Sequence, residues 1–115
     1  MSDDEPLIMR ITKIGGISWA NDYQVIWGGI SIGRIMKASG GASSDKPQWS
    51  WNCYIHGRAS SADDSGTGRD IEDAKAKVRK AWARIRAGLT EADIGRAQQY
   101  AEASREALAR YDRKR

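Results

Sequence analysis

A chain of 115 residues and 12.7 kDa with only two prolines fits one domain and excludes two full-sized ones. Its longest stretches without a charged residue, 23–33 and 47–57, are eleven positions each, well short of the roughly 20 that a membrane span needs. Net charge is +4 and the pI about 9.4, which permits nucleic acid as a partner without requiring it.

The acidic start, Met1 to Glu5, opposes the positive-then-apolar order of a secretory signal. A single cysteine, Cys53, cannot build an internal disulfide framework. Both observations point to a cytoplasmic protein. Divided along the chain, residues 1–10 carry −2, 11–62 carry +3, 63–88 carry +2 and 89–115 carry +1, so no segment is a strong polycation.

In chain order, Leu7 to Ile14 is apolar enough for an edge strand but alternates poorly, and it ends at Gly15 and Gly16. Residues 1–22 therefore read as an N-terminal segment, partly flexible or an edge strand. Tyr23 to Trp27 and Ile30 to Lys37 flank Gly28 and Gly29, a pair suited to the positive φ angles of a two-residue hairpin turn. That turn pairs Trp27 with Ile30, Val25 with Ile32 and Tyr23 with Arg34, placing Gln24, Ile26, Ser31 and Lys37 on the opposite face. A bulge at Gly33 is the alternative; it would bring Ile35 inward and turn Arg34 outward. The register beyond Gly33 stays open between these two.

Ala38 to Pro47 is a small, polar connection, expected at the tip of a long hairpin. Trp49 to His56 alternates cleanly, with Trp49, Trp51, Cys53 and Ile55 on one side and Ser50, Asn52, Tyr54 and His56 on the other. Gly57 to Gly68 is rich in Ser, Asp and Gly and reads as loop.

Asp70 suits a helix N-cap, with Asp73 completing a capping box. Ile71, Ala74, Val78, Trp82, Ile85 and Leu89 then recur at spacings of three and four, a stripe able to lie across the sheet. Gly88 ends that helix. Its acids precede its bases (Lys75, Lys77, Arg79, Lys80, Arg84, Arg86), the order a helix dipole favours, so an ordinary solvated helix explains the charges better than a dedicated anion-binding strip does. Thr90 and Asp93 can open a second helix reaching about Arg113. Half of its stripe of Ile94, Ala97, Ala101, Ser104, Leu108 and Tyr111 is Ala or Ser. It either packs back along the first helix or projects, and a projecting helix suggests self-association.

The expected fold is α+β: a three-stranded antiparallel sheet, four-stranded if Leu7 to Ile14 joins, packed on one helix and followed by a second. Residues 23–88 form the β-β-β-α core and 89–115 the C-terminal helix with its basic end.

Catalysis fails mostly by subtraction. The one His and the one Cys lie three apart on a predicted strand, which puts Cys53 and His56 on opposite faces and rules out a thiolate–imidazole pair. The same count excludes the usual zinc sites within one chain, and no phosphate- or dinucleotide-binding glycine pattern occurs. Asp63 with Asp64 and Asp70 with Asp73 are better explained by loop and capping roles than by a metal. No enzyme, cofactor or metal is expected. Of five tryptophans, Trp27, Trp49, Trp51 and Trp82 fall on inward stripes, as core filling in a chain without Phe; the role of Trp19 is open.

What remains is the outward sheet face. Gln24, Lys37, Ser50, Asn52, Tyr54 and His56, with Arg34 and Arg58 nearby, could donate and accept in a DNA major groove while the bases meet phosphates. An antiparallel sheet simply showing water its polar side accounts for the same residues. Three strands followed by a helix, from Tyr23 to about Arg86, is similar to the DNA-binding domain of plant ethylene-response factors and the arm-binding domain of tyrosine-type phage integrases; the resemblance implies a sheet that reads the major groove. Asp22 to Val25 (DYQV), Gly29 to Ile35 (GISIGRI), Trp49 to Trp51 (WSW) and Asp73 to Lys75 with Ala81-Trp82 resemble small alphaproteobacterial proteins of unknown function. That resemblance supports the fold and implies no activity. The chain thus reads as a non-enzymatic binding module with nucleic acid as its most specific partner, the alternative being a protein-interaction or homo-oligomeric subunit using the C-terminal helix.

Overall fold

The computed structural model describes residues 6–37 and 49–113. The connection expected over 38–47 lies outside them. Five strands, β1 (Leu7–Ile14), β2 (Ile17–Trp27), β3 (Ile30–Lys37), β4 (Trp49–Cys53) and β5 (Ser65–Gly68), form one antiparallel sheet in chain order. Two helices follow, α1 (Ile71–Ala87) and α2 (Glu91–Arg113). The architecture is α+β, as the pattern predicts, but the sheet is wider than the expected three or four strands.

Two identical devices make its first three strands. Gly28 and Gly29 take φ 55° and 80°, and Gly15 and Gly16 take 59° and 81°. Both pairs sit in the left-handed region that two-residue hairpin turns require. Gly15 and Gly16 therefore do not merely end a strand: they join β1 to β2, and β2 begins at Ile17 instead of Tyr23. Its ladder is interrupted once. Ile11 pairs with Tyr23 but Thr12 with Trp19, so residues 20–22 bulge, with Asn21 at φ 59°, a conformation Asn tolerates better than most side chains.

The second irregularity decides the register that the sequence leaves open. Ile26 pairs with Ser31 and Val25 with Gly33, which leaves Ile32 as the extra residue of a bulge. Past it, Tyr23 faces Ile35 and Gln24 faces Arg34, so the pairs Val25–Ile32 and Tyr23–Arg34 do not form. Ile35 is buried and Arg34 turns outward, the alternative of the two registers. The bulge adjoins Gly33 because β4 passes there at close range: an added Cβ would lie 2.6 Å from the Asn52 carbonyl oxygen.

The face formed by Val25, Trp27, Ile30, Ile32, Ile35, Trp51, Cys53 and Ile55 is the core, and α1 covers it with Ala74, Val78, Ala81, Trp82 and Ile85. Each fully buried large side chain of this kind contributes roughly 1.5 to 3 kcal/mol. The Trp27 and Trp82 rings meet at 5.2 Å, and the Arg86 guanidinium lies 5.5 Å from the Trp27 ring centre. Helix α1 is capped by Asp70 as predicted, the Asp73 amide donating to it at 2.8 Å, but the Asp73 carboxylate accepts from the Arg69 amide, one residue before the cap that a capping box would use. At its end Gly88 is right-handed (φ −93°), and its N–H closes on Ile85.

Strand β5 corrects the reading of Gly57 to Gly68 as loop throughout. Serine, threonine and two glycines give it no apolar alternation, yet residues 65–68 pair with 49–52. The glycines allow it: Gly66 leaves room for the Trp51 ring, and at Gly68 a Cβ would stand 2.9 Å from the Ala74 backbone nitrogen.

Helix α2 opens on a Thr90–Asp93 capping box, each side chain accepting from the other residue's amide. Its first turns bury Ile94 and Ala97 in the core cluster. Beyond them it runs beside the opposite face of the sheet, where Arg105 Nη1 donates to the Gly29 carbonyl at 3.0 Å. Leu108 and Tyr111 are about 60% exposed there. Among the described residues no helix is long and apolar enough to cross a membrane.

Candidate interaction surface

The face away from α1 follows from strand alternation corrected for the two bulges. It carries Ile8, Arg10, Thr12 and Ile14 of β1, Ile17, Trp19, Asp22, Gln24 and Ile26 of β2, Ser31, Arg34 and Met36 of β3, and Ser50 and Asn52 of β4. Between it and α2 runs a cleft of about 570 Å³. Gln24, Ile26, Ser31 and Tyr54 line the sheet side and Tyr100, Ala101, Ser104 and Leu108 the helix side. Small residues in α2 hold the cleft open, since Ala101 and Ser104 leave the space that larger side chains would fill.

The eight residues singled out for nucleic acid fall into three groups. Gln24, Ser50, Asn52 and Tyr54 do share the outer face. Asn52 is exposed, Ser50 donates weakly to the Met36 carbonyl at 3.4 Å, and the Tyr54 hydroxyl shares a 3.2 Å hydrogen bond with Ser31. His56 follows at the edge, its ring stacked on Tyr100 with centroids 3.8 Å apart and planes within 4°. Lys37 does not belong to this face, because the bulge at Ile32 places it with Trp49 on the α1 side.

The two arginines are committed elsewhere. Arg34 grips Asp22 through Nε at 2.8 Å and Nη2 at 2.5 Å, and Thr12 donates to the same carboxylate at 2.8 Å. The Arg34 hydrogen bond holds the Asp22 carboxyl below its ordinary range against the opposing effect of burial. Arg58 donates to Asp64 at 2.9 Å, beside Arg84 of α1 at 2.8 Å and the Ser61 amide at 2.7 Å. Asp64 is only 1% exposed, and the Ser61 N–H, with the two guanidinium groups, keeps it ionised well below the usual carboxylate range. This clamp fastens the β4–β5 connection to α1. It explains Asp63-Asp64 as a structural corner, and Asp70 with Asp73 is a cap. Among the described residues no group of three potential metal ligands gathers.

Cys53 lies on the inner face, 1% exposed. Burial, with the Asp64 charge adding to it, pushes the thiol up to about 12. The bases of α1 are likewise largely occupied: Lys75 pairs with Glu72, Lys77 with Asp73 and Arg84 with Asp64.

Sequence reasoning placed Leu108 and Tyr111 on the stripe of the second helix and left Trp19 open, but did not single out Ile8, Ile14, Ile17 or Tyr100. Ile8, Ile14, Ile17 and Trp19 are 50–61% exposed, and Tyr100, Leu108 and Tyr111 of α2 are 54–62% exposed. The signal was available in Gly15-Gly16, which has the same composition as the turn recognised at Gly28-Gly29; reading it as a turn makes Ile14 and Ile17 the cross-strand pair at a hairpin tip. The chain matches no family model, no curated protein and no solved structure.

Proposed function

We propose that the chain is a non-enzymatic binding module whose partner is a polypeptide, in the first place another copy of itself, engaged through the β1–β2 arm or α2. One observation carries this reading. Among the described residues, every large apolar side chain left substantially exposed belongs to the β1–β2 arm or to α2, and all but Ile11 lie on the outer face or on α2. Scattered exposed apolar residues are ordinary, but a concentration of this kind marks interaction surfaces.

Multi-angle light scattering on the full chain, alone and with Trp19→Ser or Leu108→Glu, tests it. The expected result is a mass above the monomer that rises with concentration and falls in at least one variant. A monomer mass at every concentration sinks the reading.

Nucleic acid is the second reading. Exposed Asn52, with Gln24, Ser50 and exposed Arg10 on the same face and a pI of about 9.4, favours it. It has fewer available cations than the sequence promised, since Arg34 and Arg58 are each bound to a carboxylate. Titrating duplex DNA at increasing salt decides it: affinity must fall steeply as counterions compete for the phosphates, and binding that is absent at low salt or indifferent to salt removes this reading.

A further inference from the structure

We infer that the partner copy joins along β1, the two edge strands pairing antiparallel about a two-fold axis at Ile11 to give one ten-stranded sheet. This deepens the self-association reading and rests on it. Strand β1 is the first of the sheet and, among the described residues, pairs only with β2, which leaves its other edge open there. It is eight residues long, about 27 Å at 3.4 Å per residue. Strand β1 contains no proline, the extra residues of its irregularity lie on β2, and its two charges, Arg10 and Lys13, are separated by apolar Ile11 and by Thr12.

The hairpin turn fixes which backbone groups are free. Ile14 and Ile17 flank a two-residue turn and so exchange their amide and carbonyl bonds with each other. Along β1 the alternate residues Met9, Ile11 and Lys13 then point theirs outward.

The side chains choose the register. Ile8, Ile11 and Ile14 are 55%, 41% and 56% exposed, and they are spaced evenly at three residues. Such a pattern reads the same in both directions, as an isologous interface requires. Placing Ile11 opposite Ile11 of the second copy sets Ile8 opposite its Ile14, and Ile14 opposite its Ile8. Met9 then faces Lys13 and Arg10 faces Thr12, so no two like charges stand directly opposite. The outward backbone groups of Met9, Ile11 and Lys13 meet their counterparts in the same register. One alignment therefore satisfies the free hydrogen-bonding groups and pairs the three isoleucines across the seam, Ile8 with Ile14 on the outer face and Ile11 with its counterpart on the α1 face.

Two variants test the register on the full chain. Ile8→Lys with Ile14→Lys brings like charges together and should give a monomer, whereas Ile8→Lys with Ile14→Glu creates two opposite-charge pairs and should restore the dimer. Both positions are more than half exposed, and circular dichroism checks that each variant is folded. Independently of any variant, amide exchange at Met9, Ile11 and Lys13 should slow as wild-type concentration rises. A wild-type monomer at all concentrations overturns the self-association reading and this interface together. A wild-type dimer that ignores both β1 variants, or dissociates only with Leu108→Glu, overturns the β1 interface alone. Identical behaviour of the two β1 variants, or exchange at Met9, Ile11 and Lys13 that does not change with concentration, also overturns it.

Discussion

The two faces of the sheet are built to different standards. On the inner face α1 seals Trp27, Ile32, Ile35 and Trp51 with a stripe of matching spacing, and few of these side chains reach water. Helix α2 is anchored in the core by Ile94 and Ala97 and then stands off from the outer face, leaving the cleft beside Tyr54 and Ile26. Stability resides in the first layer, and the second is spared from it. A helix whose stripe is half Ala and Ser buries too little to hold the fold, which leaves its remaining apolar groups available for other contacts.

That contrast can be broken most severely at Trp82. Replacing it by Ala empties the space against Trp27, and about 3 to 5 kcal/mol of unfolding free energy should disappear in urea titration. Loss below about 1 kcal/mol would mean that α1 is not the sealing layer.

Next comes the Asp64 clamp. Asp64→Ala removes three charge-assisted hydrogen bonds, leaving Arg58 without its carboxylate and Arg84 with the Asp63 carbonyl alone, at a cost of about 3 kcal/mol. The same group fixes the acid response. In the folded state Asp64 and Asp22 have carboxyl pKa values held below the ordinary carboxylate value, Asp64 by the Ser61 amide and its two arginines and Asp22 by Arg34. Their stabilisation is therefore complete above the unfolded value and fades as pH drops below it toward the folded ones. Thermal melts should be flat from neutrality to about pH 5 and fall steeply below about pH 4, and Asp64→Ala should flatten that fall.

Gly33→Ala is intermediate. Its Cβ would press on backbone at 2.6 Å, and overpacking of this sort costs roughly 1 to 3 kcal/mol. The smallest effects belong to α2. Tyr100→Ala gives up one stacked and half-exposed ring contact with His56, about 0.5 to 1 kcal/mol, and Leu108→Ser should stay within about 0.5 kcal/mol. A large loss at either position would show that the outer layer supports the fold after all.

Much of this was legible in the residues. The Gly28-Gly29 turn, the Trp49 to His56 alternation and the α1 stripe each state a periodicity that the packing then uses. Strand β5 was not legible, because Ser65 to Gly68 offers only backbone to its neighbour and is recruited by the edge of β4 and by room for Trp51 and Ala74. Nor was the bulge at residues 20–22, where a run that reads as irregular continues the strand past Asn21. For the surface, residue types pointed to polar Asn52, Tyr54 and His56, but the pairing of Arg34 with Asp22 and of Arg58 with Asp64 depends on neighbours 12 and 6 residues away. Lys37 changed sides through one extra residue, Ile32, that composition does not announce.

The chain's single thiol, Cys53, sits in the middle of the sealed layer and is held protonated far above neutrality. An alkylating reagent reacts with the thiolate, so in the native protein modification must wait for that layer to separate. Labelling of the unaltered chain followed by mass spectrometry consequently serves as an internal clock for opening, free of any introduced probe. The same clock distinguishes a partner that merely decorates the outside from one that tightens the whole molecule, because only the latter slows its ticking.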